Sequence, residues 1–114
     1  MRKIALLVVP LSITVVSAAE LVCQGEKPRN PANRLITVDC TSHKAVIGAL
    51  ELAKAAMLRE GGSAAQSVKP CSDAIESARA LDPRKNSDLY PGFKISNRAP
   101  TFLRQCNVGM RYIK

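Results

Sequence analysis

Between residues 41 and 62 apolar side chains return at a helical interval: Val46, Leu50, Ala53 and Met57 fall at i, i+4, i+7 and i+11, with Ile47 and Leu58 widening the stripe. Lys44, Gly48 and Glu51 lie on the opposite side, so the stretch predicts an amphipathic helix that must bury one face. Thr41 and Ser42 offer hydroxyls to the first-turn amides, and Gly61-Gly62 can take the left-handed backbone that closes a helix. Upstream, residues 34–40 alternate, with Ile36, Val38 and Cys40 on one side and Leu35, Thr37 and Asp39 on the other. That is the pattern of a half-buried strand. Leu21-Val22-Cys23 predicts a shorter strand, and the intervening GEKPRNPAN, with Pro28 and Pro31, a turn-rich connector.

Downstream of the long helix, residues 63–70 are small and polar, ending at Pro70. A second, shorter helix is predicted over residues 73–81: Asp73 and Glu76 have capping-box spacing, Ile75, Ala78 and Leu81 form a narrow apolar face, and Pro83 stops it. Pro91-Gly92 is a turn signature. Three short strands are predicted beyond it, over residues 93–96, 101–106 and 110–114, the last two joined by a tight hairpin at Asn107-Val108-Gly109. The expected fold class is therefore α+β, one long and one short helix packed on a small antiparallel sheet.

The first twenty residues change where this fold is placed. Arg2 and Lys3 precede an apolar core over residues 4–16 and a small-residue exit, Ser17-Ala18-Ala19, the layout of a secretory signal peptide cleaved after Ala19. The apolar run is short for a hydrocarbon layer of ~30 Å and is broken by Pro10 and Ser12, so no membrane span is expected. Residues 1–19 are then the leader and residues 20–114 one small secreted domain, with a core of marginal size. Its four cysteines, Cys23, Cys40, Cys71 and Cys106, read as two disulfides. Zinc is disfavoured, because no CxxC or HxxxH pair occurs and His43 is the only histidine. Of the three possible pairings, Cys23–Cys106 with Cys40–Cys71 is favoured: the first ties the ends of the domain and the second clips the long helix and its following loop.

The chain carries a formal charge of +8, and without Arg2 and Lys3 it carries fifteen cations against nine anions. The excess is concentrated at one end. From residue 84 onward Arg84, Lys85, Lys94, Arg98, Arg104, Arg111 and Lys114 face one anion, Asp88. Tyr90, Phe93, Phe102 and Tyr112, all the aromatics of the chain, lie in the same segment. Cations interleaved with aromatics can bind an anionic polymer by phosphate neutralisation and base stacking; the alternative is that Phe93, Phe102 and Tyr112 are core residues beneath a basic exterior. Lys94, Arg98, Arg104, Arg111 and Tyr90 are the candidate contacts for an anion or partner.

No catalytic residues can be assigned. GxSxG and GxxxxGK[ST] are absent, His43 sits in a first helical turn where solvation is the usual fate, and Glu51 and Glu60 do not share a helix face. No cofactor is expected. A cationic membrane-active role has little support either, since the long helix offers only Lys44, Lys54 and Arg59 on its polar side.

Cys23-Gln24-Gly25, an alternating strand followed by a helix beginning Ser42-His43-Lys44-Ala45-Val46-Ile47-Gly48-Ala49-Leu50, and Leu89-Tyr90-Pro91-Gly92-Phe93 together resemble the layout of fungal guanyl-specific ribonucleases. The likeness is greater to the ribonuclease-like secreted effectors of plant-pathogenic fungi, although Leu21 stands where those carry an aromatic. The resemblance implies a first cysteine paired with one near the C-terminus, here Cys23 with Cys106, and aligns Tyr90 with a substrate-contacting tyrosine. The active ribonucleases use a glutamate or histidine base, a histidine acid and an arginine; here no histidine follows His43 and no second acid is available. What the resemblance implies is thus a secreted, virulence-type interaction protein that binds a host protein, outside the host cell or after translocation into it. The alternative is an RNA-binding, ribonuclease-like protein without catalysis, working through the basic C-terminal third.

Overall fold

The computed structural model describes residues 19–112 of the chain, and in it Ser42 opens the central helix: its Oγ accepts from Ala45 N at 3.1 Å. This helix, α1 (His43–Glu60), ends at Gly61, whose φ of 75° is left-handed and whose N–H donates to Met57 O. Val46, Leu50, Ala53, Ala56 and Met57 form its buried face. Leu58, read as part of that face, is instead exposed, while Ile47 is half-buried. A 3.6-residue period carries position 58 past the edge of a stripe centred on Ala53.

Two strands precede the helix, β1 (Ala19–Cys23) and β2 (Arg34–Val38). They pair in parallel, Ala19 opposite Arg34 through Cys23 opposite Val38, which corrects the expected antiparallel sheet. The GEKPRNPAN connector is therefore a crossover, not a turn, returning the chain to the start of a second strand running the same way. All five residues of β1 are buried, whereas β2 shows the alternation read from its sequence. The leader expected over residues 1–19 lies outside the described residues except for Ala19, the first residue of β1.

After α1 the architecture is helical throughout. α2 (Gly62–Gln66) occupies the small, polar stretch, and α3 (Lys69–Ala80) begins four residues before the predicted start at Asp73. Pro70, read as a terminator, lies in the first turn of α3, where the missing N–H has no intrahelical partner to lose. Asp73 is not a cap: it accepts an ion pair from Lys69 at 2.8 Å. The three predicted C-terminal strands are not formed among the described residues. In their place are a short 3-10 turn (Ile95–Asn97), the helix α4 (Ala99–Cys106) and a terminal 3-10 turn (Asn107–Tyr112). Ala99, Phe102, Leu103 and Cys106 are the buried face of α4, at spacings of three, one and three that only a helix brings to one side. The fold class stays α+β, with four α-helices among the described residues rather than two.

The disulfides are Cys23–Cys40 and Cys71–Cys106, not the pairing favoured from sequence or implied by the ribonuclease resemblance. The parallel register explains the first: Cys23 at the end of β1 lies opposite Val38, two residues before Cys40. The second staples the first turn of α3 to the last residue of α4. Around these bridges α1 packs against α3, α4 and the terminal turn. The close approach of that turn requires Gly109, since a Cβ there would lie 2.3 Å from Ala53 O and 3.0 Å from Met57 Cγ.

Candidate functional site

Glu20 projects from the buried strand β1 with only 4% of its surface exposed, so its carboxylate must be satisfied internally. The crossover loop does this. Arg29 N–H donates to both carboxylate oxygens at 3.0 Å, and Asn33 Nδ2 donates to Oε1 at 3.0 Å. Burial pushes the Glu20 carboxyl up, but these hydrogen bonds, with the Arg29 charge, outweigh it and hold the group below its ordinary value. The loop closes on itself through Asn33 N to Asn30 O at 2.9 Å and Ala32 N to Asn30 Oδ1 at 3.0 Å. On the other side of β1, Leu21 N donates to Asn107 Oδ1 at 2.7 Å, tying the terminal turn to the strand.

These anchors bring three distant segments around one open cleft of about 500 Å³. Arg29, Asn30 and Asn33 come from the crossover, Arg104 from α4, and Asn107 and Arg111 from the terminal turn, with Glu20 and Ala19 from β1. Arg104 donates to Thr101 Oγ1 at 3.3 Å, while the guanidinium groups of Arg29 and Arg111 have no hydrogen-bond or ion-pair partner among the described residues. Among the described residues the one carboxylate lining the cleft is already engaged, and no imidazole or thiol lines it. The chemistry of these described side chains suits an anion.

The five residues singled out from sequence do not form one surface. Arg104 and Arg111 meet in the cleft. Lys94 lines a different hollow with Thr41, His43, Pro83, Phe93, Ile95 and Ser96. Tyr90 stacks edge-on against Phe93 with ring centroids 5.7 Å apart, and the His43 ring lies 6.0 Å from that of Phe93. Arg98 sits over the Phe102 ring at 5.7 Å. Phe102 is buried, Phe93 and Tyr112 pack against the core, and Tyr90 alone among the aromatics is well exposed, at 61%.

Arg29 was missed from sequence because it lies in a loop with no periodicity, and nothing near it in the chain announces that Glu20 will seize its backbone. His43, read as solvated, has a buried Nε2 without a partner among the described residues. Near it, Asp82 is 3% exposed and accepts from Arg84 N, Nε and Nη2 at 3.0, 3.2 and 3.0 Å; these bonds hold its carboxyl at about 2. Among the described residues no three His, Cys, Asp or Glu side chains come together to hold a metal, and no helix is long and apolar enough to cross a membrane. No protein-family model matches the chain, and no curated protein or solved structure matches it.

Proposed function

We propose that this is an exported, disulfide-held interaction protein of the effector type, acting on a host target by contact rather than by catalysis. The observation that carries the contact reading is the convergence of Arg29, Arg104 and Arg111 from three segments on one cleft whose only carboxylate among the described residues is internally engaged. Export is supported by the leader-like residues 1–19 and by two disulfides, which persist in oxidising compartments. The RNA reading loses much of its support, because three of the four aromatics are packed inward and Tyr90 stands with Phe93 and His43 rather than in the arginine cleft.

The test is affinity capture of the tagged protein from exposed host tissue, with and without nuclease, alongside the variant Arg104→Glu/Arg111→Glu. Specific capture that survives nuclease and disappears in the variant, with the melting temperature unchanged, is the expected result. Capture abolished by nuclease would restore the RNA reading, and capture indifferent to the two substitutions would remove the cleft from the contact.

A further inference from the structure

The hydrogen-bonding groups of the cleft are lopsided. Its oxygens are largely spent inside the protein: both Glu20 oxygens on Arg29 N–H, Asn30 Oδ1 on Ala32 N and Asn107 Oδ1 on Leu21 N. Its donors are left over. The guanidinium of Arg29, though its charge is felt by Glu20, makes no direct hydrogen bond or ion pair among the described residues, and neither do the Arg111 guanidinium or the Nδ2 groups of Asn30 and Asn107. A ligand for such a site offers mainly acceptors, since Asn33 Oδ1 is the one side-chain amide oxygen of the lining left without a donor among the described residues. Among the described residues the three arginines and one carboxylate lining the cleft carry a formal charge of +2, which favours a dianion, and the α-amine that cleavage after Ala19 would expose on Glu20 adds to that charge. Every cationic side chain there among the described residues is arginine, whose planar fork matches the oxygens of a phosphoryl group two at a time. Among the described residues no aromatic side chain lines the cleft to stack a base, so the match is to one phosphoryl group and not to a run of nucleotides.

We propose that this cleft is a phosphomonoester site, with Arg29, Arg104 and Arg111 as the charged contacts and the Asn30 and Asn107 amides as additional donors. The site is pre-shaped. Glu20 pins the loop that carries Arg29, Asn107 is anchored on β1, and the Cys71–Cys106 bridge holds the end of α4 next to Arg104. The phosphoryl group could be free phosphate or a phosphorylated side chain of a partner, and the chemistry recognised is the same. The inference rests on the contact reading given above and supplies the chemistry of that contact.

The disulfide-intact protein is titrated by amide NMR with inorganic phosphate, with a phosphoserine peptide and its unphosphorylated twin, and with a short single-stranded oligoribonucleotide. Saturable shifts centred on Arg29, Asn30, Asn107 and Arg111 are expected with phosphate and the phosphopeptide but not with the twin. Tighter binding of the phosphopeptide than of phosphate assigns the group to a partner, and equal binding assigns it to free phosphate. Affinity should fall several-fold between pH 7.5 and 5, as the phosphomonoester with its second pKa of about 6 loses the dianionic form. Arg104→Gln/Arg111→Gln should weaken binding about tenfold or more, against less than about twofold for Lys44→Gln/Lys85→Gln, which removes the same charge outside the cleft. Equal losses in the two variants, shifts scattered over all the cations, or binding by the oligoribonucleotide centred on Tyr90 would overturn the assignment. If host capture depends on Arg104 and Arg111 but neither phosphate nor phosphopeptide binds, the phosphomonoester assignment falls and the contact reading stands. If phosphate binds and capture is indifferent, the reverse holds.

Discussion

Two buried carboxylates contribute to how the protein responds to acid. Asp82, ordinarily 3.8, is held at about 2 by the Arg84 side chain and backbone, and Glu20, ordinarily 4.5, is lowered by the crossover loop in spite of its burial. Both groups bind protons more readily unfolded than folded, so their contribution to stability is complete above about pH 4.5 and is lost as pH falls toward 2. Urea unfolding at pH 6, 4 and 2.5 should show the midpoint falling mainly across the lower interval. Asp82→Asn should flatten part of that slope; an unchanged slope would mean the Arg84 bonds do not survive in solution. The same residues are where sequence reading stops. Nothing in a lone Glu20 or a lone Asp82 announces burial, because each is satisfied by neighbours that only the folded chain supplies.

At the scale of elements, α1 was legible because three independent signals agreed: an apolar stripe, the Ser42 cap and the glycine at its end. α4 and the terminal turn were misread although the period of α4 was present, since Phe102 in the one and Tyr112 in the other favour strands and Pro100 looks like an interruption. Both Pro70 and Pro100 instead open helices. Parallel pairing was beyond reach, because alternation reports which face is buried and not the direction of the neighbour. Two glycines test the packing of α1 from opposite sides. Gly48 is exposed mid-helix with open space around its missing Cβ, so Gly48→Ala should stabilise by about 0.5–1 kcal/mol. Gly109→Ala drives a methyl group into the Ala53 carbonyl and should cost about 1–3 kcal/mol. Thermal melts of the two variants should move in opposite directions, and parallel shifts would place the terminal turn elsewhere.

For the whole molecule, the class α+β and the presence of two bridges followed from composition and pattern, but the connectivity did not. Four cysteines leave three pairings open, and the choice depends on the strand direction and on α4, the two features misread. The candidate site was half legible for the same reason. Arg104 and Arg111 stood out in a basic segment, whereas Arg29 joins them only through the crossover that a parallel pair requires. Peptide mapping without reduction should recover Cys23–Cys40 and Cys71–Cys106. On the loop-entropy account, replacing the second pair by serine should cost about 4 kcal/mol and the first about 3, as the loops span 35 and 17 residues. Recovery of a Cys23–Cys106 peptide would overturn the fold of both halves.

The bridges lie one after the other along the chain instead of one inside the other. Between Cys40 and Cys71 a single backbone thread is therefore the whole covalent link between the part that carries the sheet and the part that carries α3 and α4. A protease that severs it anywhere in that span frees two peptides, each keeping its own bridge, held together by the packing of α1 and by the contacts of β1 with α4 and the terminal turn, the Leu21–Asn107 hydrogen bond among them. Endurance in a protease-rich setting thus falls to α1 and the Gly61-Gly62 joint behind it, and not to the sulfur.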